Sequence, residues 1–486
     1  MKKTFIKIST IIALLCFFAS CTRIQDYAVI DEPLDTFPDY SDVVIPFNIA
    51  PLNFHIRGDY RKYTVRFVAG QDSFDVSSRK NNVVIPMRKW KKLLKNNPET
   101  DLTLHPFVRE ATGWVKYRDI TLRISSAPVD PYIAYRLIEP GYEFWGKMGI
   151  YQRCLETFKE APVMLNTLTG EGCMNCHSFC KNNPQKMLMH IRTVHAGTII
   201  VNEGQIAKLN TKTPDNISAA VYPRWHPDGR YIAFSTNKTS QAFHTTNQNL
   251  IEVYDSASDL IIYDTETQSV YNPPLVHSPK RFETYPEWSA DGKSLYFCSA
   301  SAVKMPENYD SLRYDLFRID FDPQTGKTGN KTDTVLQSSK MGKSVAFPRI
   351  SPDGRYMIVC LSNYGTFPVW HKENDLYLMN LETGNLEPMN EVNSAESDSY
   401  HSWSTNGKWV IFSSRRTDGL YTRLYITFFD SNGKFHKPFM LPQKDPSFYD
   451  RFLKSYNVPE FISGKIETGI RAFERVAKSD AIPVKE

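Results

Sequence analysis

Residues 173–177 read Cys173-Met174-Asn175-Cys176-His177, two thiols three positions apart with an imidazole directly after the second. Thiols at this spacing can each form a thioether to one vinyl group of a haem, and the histidine then falls under the iron as its proximal ligand. The same residues suit three other chemistries: half of a tetrahedral zinc site, a structural disulfide, or a redox-active pair. A zinc site usually brings a second C-x-x-C or an H-x3-H, and no second C-x-x-C occurs in this chain. Covalent haem c is therefore the leading expectation, anchored by Cys173 and Cys176, with His177 on the iron. Downstream, Met187, Met189, His190 and His195 lie near enough in sequence to offer a distal ligand. Each has the plainer alternative of a packed or surface side chain. Methionine would raise the reduction potential relative to a second histidine.

Haem c attachment and lasting disulfides both belong outside the cytoplasm, and the N-terminus points there. Lys2 and Lys3 precede an apolar run from Ile6 to Phe18, too short to span a bilayer as a lasting helix. It ends in Phe18-Ala19-Ser20-Cys21. That resembles the lipobox of bacterial lipoproteins, with Phe in place of the usual Leu; an ordinary secretory signal also fits small residues before a cysteine. The resemblance implies cleavage before Cys21 and a lipid on its sulfur, tethering a folded body to a membrane. Residues 22–26 lack an acidic run that would assign the membrane face. The expected location is the cell envelope, facing the periplasm or the cell surface.

The elements that must hold the motif are legible along the chain. With 486 residues, 41% of them hydrophobic, two or three domains are expected. The formal net charge of +5 is mild, and the densest basic run, Arg88 to Lys95, has no aromatic stacking pattern beside it. Nucleic acid is set aside as a partner. Residues 1–21 read as the signal and 22–42 as a tether. Residues 43–126 form short β-rich runs separated by turns, a sandwich-like domain with one helical insert at Met87 to Asn96. Residues 127–189 read as a linker segment carrying the C-x-x-C-H motif.

From about residue 190 the sequence repeats. The copies are YPRWHPDGRYIAFSTN from Tyr222, YPEWSADGKSLYFCSA from Tyr285, FPRISPDGRYMIVCLS from Phe347 and YHSWSTNGKWVIFSSR from Tyr400. D-G and N-G between apolar runs are strong hairpin signals. A second pattern of the type Asp375-Leu-Tyr-Leu-Met-Asn follows each copy, so each repeat holds two hairpins, enough for one propeller blade. These copies resemble the PD40 repeats of TolB-like β-propellers over residues 190–445. The fold expectation is mainly β: a sandwich-like domain followed by a five- or six-bladed propeller. Residues 446–486 read as a latch and tail. Cys298 and Cys360 share a repeat position with Ser235 and Ser413 and read as buried free thiols, while Cys154 and Cys180 flank the motif and could pair.

The whole chain is similar to TolB-like lipoproteins of Bacteroidetes, in which a segment like Ile45 to Phe54 precedes C-x-x-C-H and PD40 repeats. Two functions follow as expectations. One is a membrane-anchored monohaem protein with a propeller body, passing electrons to a redox partner or using haem for sensing. The other is a haem-free interaction platform whose propeller face takes a peptide, a glycan or an envelope protein. An accessory role in glycan or nutrient uptake is a weaker third. G-x-S-x-G is absent, no other hydrolase or transferase constellation is evident, and no residue is assigned a catalytic role.

Overall fold

A hairpin between an inner strand and its neighbour needs a turn residue that tolerates positive φ, and each repeat supplies a glycine there: Gly229 (77°), Gly292 (72°), Gly354 (75°) and Gly407 (64°). The residue before each glycine accepts from the amide two positions on, as Asp353 Oδ1 does from Arg355 N–H (3.1 Å) and Asn406 Oδ1 from Lys408 N–H (3.0 Å). That local bond is why Asp or Asn fills the position. The structure, a computed structural model, describes residues 24–139 and 146–486. The predicted signal and Cys21 lie outside the described residues.

Six sheets of this kind follow one another, and their innermost strands touch in sequence around a closed ring. The protein is thus mainly β, with a six-bladed propeller. Blades three to six begin at Ala220–Trp225, Arg281–Trp288, Ser344–Ile350 and Asp398–Trp403, the four sequence copies. Blade two is Met174–Cys180, Asn183–Ile191, Gly197–Asn202 and Gln205–Asn210. Blade one takes Tyr132–Ile138, Gly149–Cys154 and Glu160–Leu165 from early in the chain and its innermost strand, Ser455–Ile462, from the end.

Two expected boundaries move accordingly. The propeller starts at Tyr132 rather than 190, so the segment 127–189 is blade one and the first half of blade two, not a linker. Blade two turns its first hairpin with Lys181-Asn182, both at positive φ (46° and 60°), in place of D-G. The C-terminal segment is more than a latch, because it contributes a full inner strand paired antiparallel from Tyr132↔Ile462 to Ile138↔Ser455. Helix α2 (Ile470–Lys478) buries Phe473 and Ala477 in the core shared by blades one and two.

Every inner strand carries one extra residue opposite its neighbour, a β-bulge, and the bulged residue has positive φ: Cys176 (50°), Tyr222 (49°), Tyr285 (51°), Phe347 (50°), Tyr400 (43°) and Val458 (47°). None is glycine, so each costs about 1–3 kcal/mol that the surrounding sheet must overcome. The bulge turns these side chains toward the propeller axis.

The N-terminal region forms a seven-stranded sheet and a small three-stranded one, with helix α1 (Met87–Asn96) laying Trp90, Leu93 and Leu94 on it. Part of the expected tether is structured: Tyr27–Val29 and Thr36–Phe37 are strands. The domain docks on the propeller through Asn53 Nδ2 donating to Gln443 O (3.0 Å), while the Asp130 carboxylate accepts from Thr405 N–H (2.8 Å) and Oγ1 (2.6 Å). Cys154 and Cys180, expected to be able to pair, are free thiols; the Cys180 Sγ faces His226 O (3.6 Å) in the core between blades two and three.

The turn glycines give a graded test. A Cβ on Gly292 would sit 2.3 Å from the buried His226 ring, whereas one on Gly384 (φ 74°) meets nothing within 4 Å. Gly384→Ala should cost about 1–2 kcal/mol from backbone strain alone, and Gly292→Ala clearly more, read as a larger fall in thermal midpoint.

Candidate functional site

The bulged residues close the propeller channel at its waist. Tyr222, Tyr285, Phe347 and Tyr400 form a chain of ring contacts with centroids 4.7, 4.4 and 4.7 Å apart. Cys176 and Val458 complete the circle. The C-x-x-C-H motif is therefore the blade-two version of an element found in all six blades. Cys176 stands where Tyr222 stands in blade three, and His177 where His401 stands in blade six. His401 Nε2 bonds Ile358 O (2.9 Å).

The candidate haem residues do not fit a haem as arranged. The cavity that touches both Cys176 and His177 holds about 40 Å³, room for a water or so, against the several hundred typical of sites for large organic ligands. Cys173 opens instead on a larger cavity at one end of the channel, which neither Cys176 nor His177 lines. His177 points toward blade one, with Nε2 3.9 Å from Glu460 Oε1, and burial pulls its pKa down to about 3. Met189 is its direct partner across the ladder, so the two side chains share one sheet face and cannot stand on opposite sides of a porphyrin. Met187 and Met189 are fully buried between blades one and two. His190 is buried and its Nδ1 lies 3.0 Å from Thr198 Oγ1, at the position that Cys298 and Cys360 occupy in blades four and five. His195 lies exposed in a turn. Among the described residues no cluster of three or more His, Cys, Asp or Glu could hold a metal, and all six described cysteines are free thiols.

Two positions beyond each bulge, the inner strands present a second ring: Glu460, Ser178, Arg224, Glu287, Arg349 and Ser402 in blade order. It floors an open cavity of about 390 Å³ at one channel mouth, walled by Trp225, Trp288 and Trp403. Arg224 Nε donates to Glu287 Oε2 (2.6 Å), and Arg349 Nη1 approaches the same oxygen at 3.4 Å. Burial lowers Arg349 to about 10. Across the ring, burial pushes Glu460 up to about 7, with Arg224 Nη1 3.9 Å away. The mouth thus sets two guanidiniums, with Lys181 at its edge, against the carboxyls of Glu287 and Glu460. Beside Arg224 two buried groups lack partners among the described residues: Ser178 Oγ and Trp225 Nε1. The equivalent Trp288 and Trp403 donate to the carbonyls of Arg224 and Arg349 (3.0 and 3.1 Å).

Sequence reasoning missed this ring, although the copies hold its signal. In YPRW, YPEW, FPRI and YHSW the third letter changes between Arg, Glu and Ser while its surroundings stay aromatic or apolar. A charged position enclosed by such a frame points inward for a purpose other than packing.

No family model and no curated protein matches the chain. Among solved structures it is similar to a puromycin-hydrolysing peptidase of Mycobacterium tuberculosis (12% identity, TM-score 0.37, 71% of this chain and 52% of that one). It is also similar to a DUF4784 family protein of Bacteroides caccae (10%, 0.32, 73% and 94%) and a periplasmic gluconolactonase of Pseudomonas aeruginosa (11%, 0.35, 67% and 99%). The chain spans about half the length of the first. At this similarity no residue role or activity carries across.

Glu460 supplies a pH test. Its carboxyl rises from 4.5 to about 7 through burial, so ionising it weakens the folded state. That penalty is absent below pH 4.5, grows as pH rises, and is complete above about pH 7. The stability of Glu460→Gln relative to wild type should therefore increase across this window by up to about 3 kcal/mol, at roughly 1.4 kcal/mol per unit. Thermal melts of both proteins at a series of pH values check it.

Proposed function

We propose that the protein is an exported, lipid-tethered, TolB-like propeller that binds a carboxylate-bearing chain end, such as a peptide C-terminus, and carries no covalent haem. The observation that carries the reading is the charged mouth: Arg224 and Arg349 converge on one Glu287, next to an unpartnered Ser178 hydroxyl and Trp225 indole N–H. A carboxylate set there would accept from the indole and the hydroxyl while answering the surplus positive charge, the charge-assisted bonding that favours arginine sites. The tryptophan walls suit the apolar part of the ligand. Glu460, poised near neutrality, can accept from or donate to a neighbouring polar group. Binding here calls for no turnover chemistry, and a partner in the cell envelope is in keeping with an anchor at Cys21.

Tryptophan fluorescence or calorimetry should detect peptides with a free C-terminus and not the same peptides amidated. Arg349→Gln and Ser178→Ala should each weaken binding, the former about ten- to a hundredfold for a lost charged hydrogen bond. Equal binding of the amidated peptides, or indifference to both substitutions, would sink the proposal. Expression in a host with cytochrome c maturation machinery should yield protein without covalent haem on a haem-stained denaturing gel. A stained band that disappears in Cys173→Ala/Cys176→Ala would restore the cytochrome reading instead.

A further inference from the structure

The opposite mouth of the channel, beyond the aromatic waist, has a different chemistry. A cavity of about 430 Å³ opens there, and Arg136, Arg192 and Arg415 all line it. Among the described residues none of the three forms an ion pair with a carboxylate. Glu139, at the edge, is paired with Lys454 (3.0 Å). Asp255, whose charge acts on Arg192, is occupied by Asn237 Nδ2 (2.7 Å) and Thr239 Oγ1 (2.6 Å).

Arg136 and Arg415 are held by carbonyls and a ring rather than by ion pairs, and Asp418 and Glu396 act on Arg415 only from beyond ion-pair distance. Arg136 Nη1 donates to Met174 O (3.0 Å) and Asn175 Oδ1 (2.8 Å). Arg415 Nε donates to Val369 O (2.9 Å), and its guanidinium lies 3.7 Å from the centre of the Trp370 ring. Two further atoms of residues that line the cavity are buried and, among the described residues, unpartnered: Arg136 Nε, in a residue 9% exposed, and Asn457 Oδ1, in a residue 4% exposed. A buried donor and a buried acceptor without such partners, beside a cavity roomy enough for more than a few waters and lined by three arginines, favour a polar occupant.

The wall is also set in place. The hairpin of blade three, Tyr231–Phe243 and Ile251–Asp264, is 13 and 14 residues long, against 7 and 6 for the same strands of blade five. Its far end is tied across the mouth by Glu252, which accepts from Tyr364 Oη (2.6 Å) and contacts His371 Nε2 (2.9 Å). This strap brings Gln241 to the cavity.

We propose that this second mouth binds an anionic sugar, a polyhydroxylated ring bearing a carboxylate or a phosphate. The three guanidiniums hold the anion, since planar bidentate donors match both groups. Asn175, Asn457 and Gln241 supply amide donors and acceptors for ring hydroxyls. The volume suits one or two sugar rings rather than a macromolecule.

Calorimetry on the mature protein with glucuronate, glucose 6-phosphate and glucose tests this. Saturable binding of one or both anionic sugars with no binding of glucose supports the proposal, and the preferred anion identifies carboxylate or phosphate as the group recognised. Arg192→Gln should weaken it at least tenfold, and Gln241→Ala, on an exposed strand position, should weaken it several-fold without loss of fold. Arg349→Gln, at the other mouth, should leave it unchanged, which separates this site from the peptide site. Binding of glucose as tight as of the anions, no binding of any of the three, or binding insensitive to both Arg192→Gln and Gln241→Ala would overturn it.

Discussion

Six sheets arranged about an axis leave blade one without an inner strand until the chain returns, and the pairing of Ser455–Ile462 with Tyr132–Ile138 is what closes the circle. The geometry of the site depends on that closure. Glu460 enters the charged ring from this last strand, and Val458 enters the waist. Each inner strand also carries a bulged residue at positive φ, six in all, none of them glycine. Such strain persists where neighbours over-determine it, and here the neighbours are the other bulged residues, four of them packed ring against ring.

The waist divides the channel into two chambers of different character. On one side the guanidiniums are partly answered by Glu287 and Glu460; on the other, three arginines face a cavity with buried unpartnered atoms. Successive positions along a bulged strand face the waist, the neighbouring blade and the mouth, which is how Cys176, His177 and Ser178 come to have three surroundings within three positions. The proximity of two thiols and an imidazole in sequence thus reflects strand position, and their chemistry is set by what the neighbouring blades place beside them.

Much of the fold was legible. Four copies with D-G or N-G turns announced four blades, and the repeat position of Cys298 and Cys360 correctly marked them as buried. The inner strands of the remaining two blades were hidden for definite reasons. Blade two turns on Lys181-Asn182 and has Cys176 where the other copies have an aromatic, so it lacks both repeat signals. Blade one pairs Tyr132–Ile138 with a strand more than 300 residues later in the chain, which no local pattern reveals. The C-x-x-C-H motif matched a cofactor pattern by spacing, while its surroundings, a bulged strand against a filled waist, became visible through long-range pairing alone. The ring residues escaped notice because each charge looks like an ordinary surface residue until the six strands are brought together.

Closure of the ring requires that residues 174–180 and 455–462 both be inner strands. Hydrogen exchange with mass spectrometry on the native protein tests it directly. Peptides from both segments should exchange slowly and open together with the other inner strands, as one cooperative unit. Rapid exchange in either segment while the four repeat-derived blades remain protected would contradict it, leaving the ring open and the motif outside the propeller.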